Sequence, residues 1–170
     1  MGFYRGTGDP GYGSLSEYTP RPHRGCMLTK TAVHDTFFSG VPSDVPWEVA
    51  NYDTDAISDL GGSNATRLTV PANVAKIKII ASISWEANTS GIRQAAILKN
   101  GDGLYPGVGN SISWPDLTTG EAYNYAQTGV INVIPGDYFT IEVEQSSGGG
   151  LDVLANDSTW VTMQIIEELE

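Results

Sequence analysis

With a single cysteine, Cys26, among 170 residues, the chain cannot close a disulfide within itself. Its cohesion must come from packing or from association with other chains. Flanked by Gly25 and Met27 at the start of an apolar stretch, Cys26 reads as a small buried residue rather than a reactive thiol. Histidine is nearly as scarce. His23 and His34 have no partner at a metal-binding interval, so no zinc site is expected. The Gly-x-Ser-x-Gly elbow of a serine hydrolase is absent too, which leaves His34 as a polar loop residue rather than part of a triad. No apolar run reaches about 18 residues, so no helix can span a bilayer. Apolar residues recur nowhere at 3.6-residue spacing over a helical length. Met1–Gly6 lacks the apolar centre of a secretory signal, and Gly6 stands where a myristoylation motif wants serine or threonine.

Positive charge is in short supply. Nine lysines and arginines face 20 acids, for a net charge of −11. Residues 1–30 hold Arg5, Arg21, Arg24 and Lys30 against Asp9 and Glu17, a net of +2, so the rest of the chain carries −13. An acidic body repels nucleic acid and anionic membranes, and neither is expected as a partner. A mildly basic start on an acidic body suggests that this start docks on another acidic protein surface.

What the chain does have is period-2 alternation. In Lys76–Trp85 the apolar side chains at 77, 79, 81, 83 and 85 share one face, and the other face is charged or hydroxylated apart from Ile80. Further strands are predicted at 26–30, 36–38, 67–70, 92–99, 111–114, 123–134, 138–145, 151–154 and 160–166. A strand over 45–49 is expected at a sheet edge because Pro46 cannot donate to a ladder. Asn100-Gly101 and Pro135-Gly136-Asp137 are strong turn signals. About ten short strands closed by such turns predict an antiparallel β-sandwich or jelly roll over residues 25–170.

Residues 1–24 differ in kind. Five glycines and three prolines punctuate them too often for a core, yet Phe3, Tyr4, Tyr12 and Tyr18 are interleaved with Arg5. A solvating linker would carry few aromatics. The segment reads as an extended attachment arm in which Phe3, Tyr4, Arg5, Tyr12 and Tyr18 meet a partner.

Chemistry is hard to find. Asn51, Asp53 and Asp55 place oxygens at alternating positions, but the glycine and the bidentate glutamate of an EF-hand are missing, so a solvated acidic loop is expected over 51–59. Glu142 and Glu144 share a strand face, where acids usually keep a surface wet rather than cleave glycosides. The Gly-rich stretch 101–109 lacks the Lys-Ser/Thr of a phosphate loop. With no catalytic group, metal or cofactor implied, Tyr105 and Trp114 in the long 101–121 loop are the candidates for surface recognition of sugar or protein.

The order of motifs is informative as a set. Tyr52-Asp53-Thr54-Asp55 is followed by Thr66-Arg67-Leu68-Thr69-Val70-Pro71 and the alternating strand ending at Trp85. Gly91-Ile92-Arg93, Leu98-Lys99-Asn100-Gly101, Pro135-Gly136-Asp137-Tyr138 and Val143-Glu144-Gln145-Ser146-Ser147-Gly148 complete the series. Residues 25–169 thereby resemble the C1q/TNF-like jelly-roll domains of tailed-bacteriophage fibre and virion structural proteins. The resemblance implies a homotrimer and a non-enzymatic virion protein, a decoration or fibre head anchored to capsid, neck or tail. A receptor-binding tip is the alternative. Apolar residues on second faces support assembly independently: a two-layer sandwich buries one face of each sheet, and Ile80, Ile131, Val133, Trp160 and Ile166 are predicted on the other.

Overall fold

The computed structural model describes residues 23–32, 34–102, 110–113 and 120–169. Among them are the strands β1 (Gly25–Thr29), β2 (Asp35–Phe38), β3 (Ser43–Asp44), β4 (Val49–Asp53), β5 (Leu68–Thr69), β6 (Val74–Trp85) and β7 (Arg93–Lys99). The chain continues through β8 (Asn110–Ser113), β9 (Ala122–Gln127), β10 (Ile131–Asn132), β11 (Tyr138–Gln145), β12 (Gly150–Val153) and β13 (Trp160–Glu168). No helix occurs among the described residues. The larger sheet runs β2-β12-β6-β13-β1-β4, with β9 and β10 paired along the other side of β6. The smaller runs β3-β11-β7-β8, with β5 also on β11. Every pairing is antiparallel.

β6 is the spine because its alternation is the longest. Ile77, Ile79, Ala81, Ile83 and Trp85 all point into the core, where they meet Ile97 of β7 and Phe139, Ile141 and Val143 of β11. Phe37 closes the far end, edge-on to Trp85 at 6.2 Å between ring centroids. β9 reverses the usual pattern: Ala122, Asn124 and Ala126 are inside, and Tyr123 and Tyr125 are outside. Small inward residues let β9 lie close to the second sheet. Asn124 ties the layers together, accepting from Trp85 Nε1 at 2.8 Å and donating to the Arg93 carbonyl at 3.1 Å.

Two expectations are corrected. Residues 45–48 are not a strand; the chain there leaves β3 on the smaller sheet and enters β4 on the larger. Val45 and Trp47 are buried during the crossing, and their N–H groups donate to the carbonyls of Ile141 and Ala65. Pro46 has no N–H to satisfy at this crossing, which is the same property that suggested a sheet edge. The predicted strand 123–134 is in fact β9 and β10, separated by an irregularity. Gln127 lies opposite Ile80 and Ile131 opposite Ile77, so three residues of this chain face two of β6. That is a one-residue bulge, and it reverses the facing of everything that follows.

The turns behave as their residues dictate. Asn100 and Gly101 have φ of 54° and 80°, the left-handed pair of a tight hairpin. Gly136 has φ of 87° in the second turn, and Asp137 joins the two. Its buried carboxylate accepts from the Ile134 N–H at 2.9 Å, from Asn100 Nδ2 at 2.8 Å and from Lys99 Nζ at 2.7 Å. Burial alone would push this carboxyl up, but those donors hold it below its ordinary range.

Candidate assembly interface

The outward face of the larger sheet carries more apolar surface than a free sandwich needs. Cross-strand register places Trp160, Ser82 and Tyr125 side by side, with Thr29 and Val49 continuing the row. The next row holds Met27, Thr162, Ile80 and Gln127. Tyr125 is 64% exposed, Val49 and Tyr123 are exposed, and Ile80, Met27 and Trp160 are half-buried. The hydroxyls of Ser82 and Thr162 are enclosed between these larger neighbours without a hydrogen-bond partner. An apolar zone of this kind, rimmed by polar residues, is a surface suited to being covered.

Of the five residues predicted at an interface, Ile80 and Trp160 lie on this outward face, and Ile166 is exposed at a register shift of β13. Ile131 and Val133 do not: they are 8% and 7% exposed, part of the chain's own core. Their outward counterparts are Val130 and Ile134, at 56% and 68%. The cause is the bulge between Thr128 and Ile131. Before it, even-numbered residues point inward; after it, odd-numbered ones do. Thr128 holds the irregularity in place. Its N–H donates to the Ile79 carbonyl at 2.9 Å, and its hydroxyl accepts the Ile79 N–H at 2.9 Å. Gly129 is the sequence signal for this, since a glycine inside a strand pattern often marks a bulge. Tyr123 and Tyr125 were missed as surface residues. Their alternation with alanine and asparagine, large outside and small inside, was the legible clue.

The remaining candidates sort as follows. Phe3, Tyr4, Arg5, Tyr12, Tyr18, Tyr105 and Trp114 lie outside the described residues. Residues 51–53 of the expected acidic loop belong to β4, and the carboxylates of Asp53 and Asp55 are engaged by the protein. Asp53 accepts from the N–H groups of Ile57 and Ser58 at 2.9 Å each and from Ser58 Oγ at 2.7 Å. Asp55 pairs with Arg24, which also pairs with Glu168, so one guanidinium fastens the start of β1 to the end of β13. The Arg24 hydrogen bond holds the Asp55 carboxyl below its ordinary range. Among the described residues no cluster of three metal-ligating side chains occurs.

A second ion cluster sits at the end of β1. Lys30 is buried, with Nζ 2.6 Å from Asp35 and 2.9 Å from Glu48. Burial alone would push the Glu48 carboxyl up, but Lys30 and the N–H groups of Ala32 and Thr31 hold it down at about 2. On β11, Glu142 shows the opposite behaviour. Burial, with Asp44 and Glu144 beside it, pushes its carboxyl above the ordinary range.

No family model and no curated protein matches the sequence. Solved structures do match in shape. Murine APRIL at pH 5.0 superposes with a TM-score of 0.59 at 12% identity, covering 85% of this chain and 99% of that one. The Eiger TNF of S. frugiperda gives 0.58 at 10%, covering 88% and 96%. The globular domain of zebrafish complement 1qA gives 0.56 at 9%, covering 86% and 98%. The fold is a C1q/TNF-like jelly roll. At such identities the likeness concerns the path of the backbone and no more.

Proposed function

We propose that the chain is a non-enzymatic virion structural protein whose jelly-roll head assembles as a homotrimer, held to capsid, neck or tail by the arm of residues 1–24. One observation carries the assembly: the apolar zone of Ile80, Trp160, Tyr123, Tyr125 and Val49 on the outward face of the larger sheet. Fully burying such a side chain contributes roughly 1.5–3 kcal/mol, so several per subunit, three times over, would make a durable trimer. The phage context rests on the order of sequence motifs, and the arm's role rests on its aromatic and basic composition. The alternative is a receptor-binding tip that recognises host glycan or protein through Tyr105 and Trp114.

The first test is mass. Light scattering at micromolar concentration should give about three times the 18.2 kDa subunit. Trp160→Glu combined with Ile80→Lys should give a folded single subunit. A wild-type protein that stays at one subunit mass would defeat the proposal. Removing residues 1–20 should abolish attachment to particles while leaving the trimer intact; attachment that survives would remove the arm from the account.

A further inference from the structure

The opposite sheet carries a second feature that the assembly does not use. On the outward face of β11, Tyr138, Thr140, Glu142 and Glu144 follow one another at period 2. The segments 42–44 and 63–67 overhang this row and leave a groove of about 360 Å³. Thr140 and Leu98, cross-strand partners on β11 and β7, form its floor. Thr140 is 3% exposed, and its hydroxyl has no hydrogen-bond partner among the described residues.

The two ends of the groove are charged oppositely, and no ion pair joins them among the described residues. At one end Asp44 and Glu142 are directly paired across β3 and β11, an arrangement that two like charges disfavour. Among the described residues neither has a cationic partner. At the other end the Arg67 guanidinium lies 4.1 Å from the centroid of the Tyr138 ring and pairs with no carboxylate among the described residues. Tyr138 and Glu142 are four strand residues apart, about 13 Å at ~3.3 Å per residue. Arg67 and Glu142 both line the groove, yet no salt bridge joins them.

The geometry points to a binding site for an extended peptide segment of a partner protein, with a lysine or arginine side chain reaching Asp44 and Glu142. A cation there would relieve the repulsion between the cross-strand pair Asp44 and Glu142, and the Thr140 hydroxyl would accept from the incoming chain. Arg67 would donate to a carbonyl or carboxylate of the same segment. A neutral sugar fits less well, because the one aromatic ring among the described residues of the groove already carries the guanidinium. This site lies on the smaller sheet, apart from the apolar zone on the larger one.

The test uses the full chain and three capped peptides, glycines flanking a single lysine, norleucine or glutamate. In NMR titrations the lysine peptide should shift the amides of Asp44, Thr140 and Glu142 and saturate, with affinity falling as salt rises. The norleucine and glutamate peptides should bind at least tenfold more weakly. Asp44→Asn with Glu142→Gln removes the repulsion, so it should keep the fold while losing tenfold or more in lysine-peptide affinity. Equal binding of all three peptides, no binding of any, or unchanged affinity in the double variant would each overturn the proposal. Light scattering on the same samples reports subunit number separately.

Discussion

Thr128→Val removes one oxygen from the bulge and changes little else. In the native chain the Thr128 hydroxyl accepts the Ile79 N–H at 2.9 Å, standing in for the carbonyl that would take this bond in an unbroken ladder. Ile79 is fully buried and Thr128 nearly so. Valine has almost the same shape, so no cavity opens, and the whole cost is a buried donor without an acceptor. That cost is about 1–3 kcal/mol. In a chain of this length each kcal/mol moves the melting temperature by about 2–4 °C, so a fall of roughly 2–12 °C is expected. Calorimetry and urea titration at one fixed protein concentration would measure it, since association also shifts apparent stability. The reasoning then makes a sharper demand. Deleting Gly129 should leave Thr128 opposite Ile79 and Val130 opposite Lys78, with Ile131 and Val133 still inward and the Thr128 carbonyl back in the ladder. In that background Thr128→Val should cost less than half as much. The same cost in both backgrounds, or a deleted chain that fails to fold, would refute this account of the bulge.

Two other expectations concern the first strand. Glu48 should make stability depend on acid: its carboxyl sits at about 2 when folded against 4.5 when free. Its stabilising contribution is thus present above pH ~4.5 and lost as pH falls toward 2. The stability gap between wild type and Glu48→Gln in urea should narrow over that window; a gap that is constant from pH 7 to pH 2.5 would contradict it. At Gly25, φ is +143° and an added Cβ would lie 2.0 Å from the Met163 carbonyl oxygen. Gly25→Ala should therefore lower the melting temperature more than Thr128→Val, and a variant as stable as wild type would show that β1 and β13 can separate at no cost.

Local signals in the sequence decided most of the architecture. The alternation of Lys76–Trp85 specifies β6 because successive side chains on a strand must point to opposite faces. Asn100-Gly101 specifies its hairpin because few other residues accept two positive φ angles in succession. Ile80 and Trp160 could be assigned to an outward face by the same parity. The rest depended on which strands lie beside which. Whether Ile131 or Val130 faces the core turns on one extra residue between two registers with β6, and strand parity carries no memory across a bulge. Residues 45–48 pass from one sheet to the other because β3 pairs with β11 and β4 with β1, contacts made with segments far away in the chain. Likewise, only folding brings Asp44 against Glu142 and Arg67 over Tyr138. Local chemistry chooses the strands and turns; the pairing of distant strands chooses which side chains are left to meet a partner.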